Sequence, residues 1–261
     1  MEGFNDYRSL HPKHVNLDWM KCIPDDQSLS TVSIPGTHQS LKRDGLNIYR
    51  NFQAWKLFFQ LYAGVRFFDM TVWIRSGTLY VENNAVIYYK NFADALHELQ
   101  IYLGDKKSET LLLRLTGSDS AISLAKEILN REAANDLWKD RKIPTMREAR
   151  GKIILIQSPD FDWGLPINAM VVGTKNKEDN MKANIKKASQ YCSNEMMLTD
   201  TGAKGQREIP RTVAEQLNKQ LDDHLLSLLS SKKQPPCLGI IAMDFPGPKL
   251  IQQIIRMELL L

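Results

Sequence analysis

The stretch GVRFFDMTVW, residues 64–73, is rich in Phe, Val and Trp, yet it carries Asp69 near its centre. A short apolar run of this composition is typical of a strand buried on both faces of a parallel sheet. Because successive side chains of a strand point to opposite faces, Asp69 and Thr71 share one face. A buried carboxylate is costly without a partner. This stretch therefore predicts a core strand that presents one acidic group to a specific partner.

Working outward, similar runs recur at residues 30–35, 78–82, 110–116, 152–157, 169–173, 195–199 and 239–245. Helical patterns lie between them, as in residues 91–104, where Phe92, Leu96, Leu99 and Leu103 share one face. Alternating strands and helices indicate an α/β fold with a parallel sheet. Their number fits a (β/α) barrel better than a doubly wound sheet. No G-x-G-x-x-G or P-loop follows any run, and no Pro-, Gly- or Ser-rich linker divides the chain, so we expect one domain over residues 1–261.

Composition limits the classes of protein. The chain has 261 residues, 43% of them hydrophobic and 25% charged, with a net charge of +4, as in an ordinary globular protein. Lys and Arg are scattered, so no nucleic-acid-binding arm is expected. The first residues lack an apolar signal region and no apolar run is long enough to span a membrane, so we expect a cytoplasmic protein.

The cysteines also favour a cytoplasmic protein. Cys22, Cys192 and Cys237 are few, odd in number and far apart. No pair has the spacing of a zinc site and no disulfide framework is suggested, so a reducing compartment is the expectation. Neither a metal nor another cofactor is predicted.

Polar side chains at the ends of the predicted strands are the candidate site, because barrel chemistry sits at the carboxyl ends of the strands. His38 follows the first strand within IPGTHQS, residues 34–40, and Asp244 interrupts the last apolar run. A carboxylate on one imidazole nitrogen fixes the tautomer and raises the basicity of the other nitrogen. His38, Asp69 and Asp244 are therefore predicted to meet, either as a functional group or as core residues that satisfy one another.

Several blocks together resemble one family. In order, DWMKCIPDDQSLSTVSIPGTHQS, FFQLYAGVRFFDMTVW, FADALHELQIYLGDKKSETLLLRLT, REARGKIILIQ and LGIIAMDFPGPKLIQQII are similar to blocks of phosphatidylinositol-specific phospholipase C of the small bacterial X-domain type. The resemblance covers essentially the whole chain and implies an irregular TIM barrel. It also implies a transphosphorylation in which one histidine is the general base, a second is the general acid and an arginine stabilises the developing charge.

Carried onto this chain, the resemblance makes His38 the base, Asp244 the carboxylate that orients it and Asp69 the aspartate of the second strand. The family's other charged positions are neutral here. An acidic residue is replaced by Gln39, an arginine by Thr71 and the second histidine by Asn83. A basic residue is replaced by Thr116 or Gly117, and a further arginine by Gln157 or Ser158. The pattern suggests that the fold was kept while catalytic charge was lost.

Two hypotheses of different class follow. The favoured one is a phospholipase C-like pseudoenzyme that binds an inositol lipid, an inositol phosphate or a protein partner without efficient turnover, with peripheral membrane contact. The alternative is an active phosphoric diester hydrolase or lyase with His38 as general base. A structural or storage role is the remaining possibility. We call the end of the barrel formed by the carboxyl ends of its strands the mouth. An ionisable acid facing His38 there would favour the enzyme, and a neutral mouth would favour the binding protein.

Overall fold

Parallel strands alternate with helices along the chain. The computed structural model describes residues 3–43, 47–81, 90–204, 208–231 and 234–259. Within these ranges the strands are β1 Ile34–Thr37, β2 Phe67–Arg75, β3 Thr78–Tyr80, β4 Leu111–Gly117, β5 Leu137–Trp138, β6 Ile153–Ile156, β7 Ile167–Val171, β8 Met196–Asp200 and β9 Ile240–Met243. The α-helices are α1 Leu57–Ala63, α2 Phe92–Asp105, α3 Asp119–Ala133, α4 Met146–Ala149, α5 Lys177–Tyr191, α6 Pro210–Leu229 and α7 Pro248–Leu259.

The strands form one curled sheet in the order β5-β6-β4-β2-β1-β9-β8-β7, with every neighbouring pair parallel. The first and last parallel strands of the barrel are adjacent, since Ile34 pairs with Ile240 and Thr37 with Met243. Among the described residues, the two end strands of this order are not paired with each other. The predicted irregular (β/α) barrel of one domain is therefore confirmed as a curled, incompletely closed barrel.

The run at residues 78–82 differs from its prediction as a parallel barrel strand. β3 pairs antiparallel with β2, with Trp73 opposite Tyr80 and Arg75 opposite Thr78. The two residues between the strands, Ser76 and Gly77, both have positive φ, at 49° and 77°. Such a two-residue link makes a hairpin, whereas a parallel crossover needs a dozen residues or more. The hairpin lies at the carboxyl end of β2 and is not part of the barrel wall.

The barrel floor is held by a buried ion pair. Arg66 directly precedes β2, and its guanidinium lies 2.8 Å from the Glu109 carboxylate, with both side chains fully buried. The same guanidinium donates to the carbonyls of Leu61 and Leu17, at 2.9 Å and 2.8 Å. A buried pair of this kind is tolerated when all its donors are used. Arg66 thereby ties the amino-terminal segment to the floor, at the end of the barrel away from the strand ends that carry the candidate site.

The cysteines correct the sequence prediction. Cys192, just after α5, forms a disulfide with Cys237, just before β9, and both residues are fully buried. Their Cα atoms are 6.6 Å apart although they are separated by 45 positions in sequence. The third cysteine, Cys22, is free and exposed. The odd number of cysteines hid this pair, because packing of α5 against the sheet, and not local spacing, brings the two together.

No helix in the described ranges combines the length and the apolar content needed to cross a membrane.

Candidate active site

His38 is held by the turn that follows β1. The backbone of Gln39 is left-handed, with φ 46°, so the chain changes direction directly after the histidine. The N–H of Ser40 donates to the Asp69 carbonyl at 2.8 Å, and its hydroxyl accepts from the Asp69 N–H at 2.8 Å. The Gln53 amide donates to the His38 carbonyl at 2.7 Å. These bonds fasten the turn to β2 and set the imidazole at the barrel mouth.

A buried carboxylate orients the imidazole. His38 Nδ1 lies 2.8 Å from Asp244 Oδ1, and the two residues are only 5% and 2% exposed. The other Asp244 oxygen accepts from the Ala203 N–H at 2.7 Å. An ionised carboxylate can only accept, so we assign the proton to Nδ1, which leaves the Nε2 lone pair facing the mouth. The predicted contact between His38 and Asp244 is present, and it fixes the orientation of the imidazole.

A lysine occupies the other side of the imidazole. Lys204 Nζ lies 3.1 Å from His38 Nε2 and 2.5 Å from Asp200 Oδ2. The Lys204 backbone N–H donates to the Glu208 carboxylate at 2.6 Å, which holds this segment in place. Asp200 ends β8 and its side chain is 7% exposed, whereas that of Lys204 is 27% exposed. The nitrogen that would act as base is therefore covered by a cation that solvent can reach.

The charges around His38 decide its protonation. Burial alone would lower the pKa of His38, but the carboxylates of Asp200 and Asp244 outweigh burial, so the pKa lies above its ordinary value. Burial raises the pKa of Asp244, and its bond to His38 offsets this only in part. For Asp200 the balance is opposite, because His38 and Lys204 overcome the effect of burial and lower its pKa. Asp200 is thus the firmly ionised carboxylate of the group.

Asp69 has a different partner from the one that the sequence suggested. Its carboxylate lies 3.2 Å from Arg114 Nη1, on the neighbouring strand β4, and not against His38. Burial raises the pKa of Asp69, and Arg114 offsets part of that effect. The Arg114 Nε is buried and has no hydrogen-bond partner among the described residues. Among those residues, no group of three or more His, Cys, Asp or Glu side chains is arranged to hold a metal ion.

The neutral positions near the mouth bond to one another. The Thr71 hydroxyl donates to the Gln39 amide oxygen at 3.1 Å and lies 3.1 Å from the Thr116 hydroxyl. Thr71 and Thr116 face each other directly across β2 and β4. The structure thus brings these three predicted site residues together, as a chain of uncharged hydrogen bonds.

The remaining two predicted positions do not join that chain. The Ser158 hydroxyl donates to the Leu115 carbonyl at 2.6 Å and accepts from the N–H groups of Asp160 and Phe161, both at 3.1 Å. Ser158 therefore closes a turn after β6. Asn83 lies outside the described residues.

Sequence reasoning missed two cations that the structure places at the mouth, Arg114 and Lys204. Arg114 had a signal, because it interrupts the apolar run at residues 110–116 and shares a face with Thr116 two positions later. Lys204 follows Asp200 by four residues in a loop, where no periodicity reports side-chain direction. The neutral side chains at positions 39, 71, 116 and 158 therefore do not make the mouth uncharged, and the loss of catalytic charge stays a prediction.

Known proteins resemble this chain in both sequence and fold. No family model matches the chain. A 1-phosphatidylinositol phosphodiesterase of Listeria monocytogenes is 26% identical over 272 residues, covering 91% of this chain and 84% of the relative. A protein of the same name from Staphylococcus aureus is 25% identical over 154 residues, covering 53% of this chain and 49% of the relative.

Solved structures give the same fold. The phosphatidylinositol-specific phospholipase C from Listeria monocytogenes has a TM-score of 0.78 at 24% identity, covering 93% of this chain and 98% of that one. A phosphatidylinositol-specific phospholipase C structure from Staphylococcus aureus, solved for the modulation of its membrane binding, has a TM-score of 0.77 at 18% identity, covering 94% of this chain and 98% of that one. The curled barrel described above is the fold of these enzymes.

Proposed function

Since the chain belongs to the bacterial-type phosphatidylinositol-specific phospholipase C family, we propose that its barrel mouth binds the phosphorylated headgroup of an inositol lipid, or a soluble inositol phosphate, without efficient turnover. One observation carries the proposal. An oriented histidine is present, with His38 Nδ1 2.8 Å from Asp244, but no second histidine is available as a general acid. The positions at which the family resemblance expects charge, where they are described, carry neutral side chains.

The positions of the other histidines explain why none of them can act as a general acid at the mouth. The chain has five histidines. Apart from His38, two belong to the amino-terminal segment at residues 11–14, one lies on α2 and one on α6. None of these segments contributes a strand end to the mouth. Loss of a positioned acid costs roughly 10²–10⁴-fold in rate. We therefore expect turnover to fall at least about a hundredfold below that of an enzyme with both histidines.

The direct test is cleavage of phosphatidylinositol vesicles, measured beside the Listeria enzyme as a positive control, together with sedimentation of the protein with the same vesicles. The proposal expects binding with little or no release of inositol phosphate. Robust cleavage that disappears in His38→Gln would refute the absence of turnover. Lack of binding to vesicles and to soluble inositol phosphates would refute the proposed function as a whole.

The second candidate is an active phosphodiesterase with His38 as general base. It is favoured by the same buried pair, because the assigned tautomer leaves Nε2 able to accept a proton from a substrate hydroxyl. The charged side chains Arg114 and Lys204 also count in its favour, because an uncharged mouth was the feature expected of a binding protein. It is opposed by the position of the Lys204 ammonium, 3.1 Å from Nε2, where it occupies the lone pair in the free protein. The cleavage assay separates the two candidates without further assumptions.

Membrane contact is part of the proposal. The loop between β1 and α1 leaves the carboxyl end of β1 and so lies on the side of the mouth. It exposes Ile48 and Tyr49, which are 56% and 47% accessible, beside the cationic Arg50. Apolar and aromatic side chains next to a cation suit the interface of an anionic membrane. We infer that this loop touches the membrane while the mouth receives the headgroup.

A further inference from the structure

We propose that Lys204, backed by Arg114, is the anion-binding element of this mouth and that it selects a singly charged phosphodiester. This rests on the proposed function, in which the mouth receives a phosphorylated headgroup. The two cations stand at sequence positions other than those at which the family resemblance expects charge. In the free protein Lys204 covers His38 Nε2, and a bound phosphodiester draws the ammonium from the imidazole onto a phosphoryl oxygen.

Lys204 is placed to make that exchange. Within the described part of the chain its ammonium contacts His38 Nε2 at 3.1 Å and Asp200 at 2.5 Å. An ammonium can only donate, so His38 Nε2 accepts in this contact and the imidazole is neutral while the contact lasts. An anionic oxygen is a stronger partner for the ammonium than this neutral nitrogen. The Lys204 side chain is 27% exposed and flexible, so it can reach a ligand in the mouth while keeping its contact with Asp200.

The position of Lys204 also excludes it as the general acid for the leaving group. In phosphoryl transfer the attacking and leaving oxygens lie roughly in line on opposite sides of phosphorus. A group 3.1 Å from the nitrogen of the would-be base sits on the attacking side. Lys204 therefore reaches an equatorial phosphoryl oxygen and not the leaving oxygen. It supplies binding and charge without supplying the missing acid, which agrees with binding and poor turnover.

Arg114 provides a second, deeper cation. Its side chain is 14% exposed, and its Nη1 lies 3.2 Å from Asp69. Its Nε–H is buried and has no hydrogen-bond partner in the described part of the chain. A buried unsatisfied donor costs free energy that a ligand acceptor can recover. The neighbourhood is shared, because Arg114, His38, Asp200 and Lys204 all act electrostatically on the Asp69 carboxyl.

The charge balance selects the class of ligand. Each cation is already paired with a carboxylate, Lys204 with Asp200 and Arg114 with Asp69. Asp200 is ionised at neutral pH, since its pKa is lowered. A second negative charge on the ligand would therefore meet repulsion from these two carboxylates, and neither ion pair has positive charge left over to balance it. A phosphodiester carries one charge, whereas a phosphomonoester approaches two above its second pKa of about 6.

The test is titration calorimetry at pH 7.5 with two soluble probes, glycerophosphoinositol as the diester and inositol 1-phosphate as the monoester. We expect the diester to bind more tightly than the monoester. Lys204→Met should weaken diester binding about tenfold or more, as expected for a lost hydrogen bond between charged groups, and Lys204→Arg should restore most of it. The matched control is Lys182→Met on α5, which removes a lysine from an i,i+4 ion pair of the same kind, with Glu178. It should leave both affinities unchanged.

A double variant distinguishes direct contact between Lys204 and the ligand from simple neutralisation of the Asp200 charge by Lys204. If Lys204 only balances Asp200, then Asp200→Asn with Lys204→Met should bind the diester as the unmodified protein does, and that result would overturn the proposal. If Lys204 contacts the ligand, the double variant stays weak. Equal affinity of Lys204→Met and the unmodified protein would also overturn it, with the proposed function intact. Tighter binding of the monoester would overturn the selectivity. Failure of both probes to bind the unmodified protein would remove the proposed function and this proposal together.

The His38 imidazole supplies an independent readout by nitrogen NMR. Lys204 lowers the pKa of His38, opposed by the carboxylates of Asp200 and Asp244, while Asp69 lies nearby on β2. In the free protein Lys204→Met should therefore raise that pKa. Diester binding should raise it in the unmodified protein, because the ammonium leaves the imidazole and an anion arrives. An unchanged His38 titration on saturation with the diester would contradict the exchange.

Discussion

At the scale of single residues, Gly202 packs so closely against the His38 ring that no side chain fits at position 202. A Cβ on Gly202 would lie 2.2 Å from His38 Nδ1 and 2.4 Å from its Cγ. The ring is held by Asp244 and cannot yield easily, so a side chain at position 202 competes directly with the buried pair. A glycine is required here by close approach and not by an unusual φ.

Gly202→Ala should displace the imidazole from Asp244 and lower the free energy of unfolding by about 1–3 kcal/mol, as overpacking does. The pKa of His38 should fall toward its ordinary value, since its carboxylate neighbours raise it. Urea unfolding and histidine NMR measure the two effects. Gly173→Ala is the matched control, because a Cβ there has nothing within 4 Å. Equal stability and an unchanged His38 titration in Gly202→Ala would contradict the prediction.

Glu258 is a second residue whose burial has a measurable consequence, at the opposite end of the barrel from the mouth. It is 6% exposed and accepts from the Ser33 N–H at 2.6 Å and the Gln27 amide at 2.8 Å. Burial raises its pKa, and these hydrogen bonds offset only part of the effect. A carboxyl whose native pKa is raised stabilises the fold below its unfolded pKa, and that contribution is lost as the pH rises through the native value.

Glu258→Gln should therefore become more stable relative to the unmodified protein as the pH rises from about 4.5 to 8, by about 1.4 kcal/mol for each unit of pKa difference. Urea unfolding at both ends of this range measures the gap. Glu127→Gln, at an exposed position on α3, is the control and should leave the pH profile unchanged. A gap that narrows with rising pH would show that the native pKa is lowered instead.

At the scale of elements, the disulfide fixes the end of α5 to the segment that enters β9. Cross-linking a loop of 45 residues is worth about 4 kcal/mol in the chain-entropy account. Disulfides persist mainly in oxidising compartments, which argues against a cytoplasmic location. The cytoplasmic location stays a prediction. Non-reducing electrophoresis of protein taken directly from cells would show whether the disulfide is present there.

Replacing both Cys192 and Cys237 by alanine should lower the free energy of unfolding by an amount of this order and make stability insensitive to dithiothreitol. The unmodified protein should lose a similar amount when reduced. Cys22→Ala removes the free cysteine and serves as the control, which should keep the full sensitivity to reductant. Identical unfolding curves for oxidised and reduced protein would count against a stabilising bond.

At the scale of the whole molecule, the mouth faces one way and its rim carries the exposed apolar pair at Ile48 and Tyr49. Replacing both by alanine should reduce sedimentation with phosphatidylinositol vesicles several-fold, because apolar contact with the interface is lost. Binding of the soluble diester probe should be unchanged. Ile101→Ala is the control, since Ile101 is 59% exposed but lies in the second half of α2, on the outer wall. A loss of equal size in the control would place the membrane contact elsewhere.

Local pattern was enough for the main elements of the barrel. The runs around β2, β4, β6, β8 and β9 are short and apolar because both faces of these strands are covered. The helices between them show apolar residues at a spacing of 3.6 because only one face of each helix is buried. The same pattern identified His38 and Asp244, since a polar side chain stands out at the end of an apolar strand. Boundaries were weaker. The first run was placed at residues 30–35 whereas β1 begins at Ile34, and the short β5 had too few residues to leave a signal.

The sequence by itself therefore determined the alternation of buried strands with amphipathic helices, one barrel, and a histidine at its mouth, because burial and periodicity are properties of neighbouring residues. Only the tertiary structure decided the partners. It paired Asp69 with Arg114, set Lys204 against His38 and joined Cys192 to Cys237. Each of these contacts spans 45 positions or more. Contacts at such a distance along the chain are fixed by how the sheet curls and where its loops return, and no local pattern of side chains encodes that geometry.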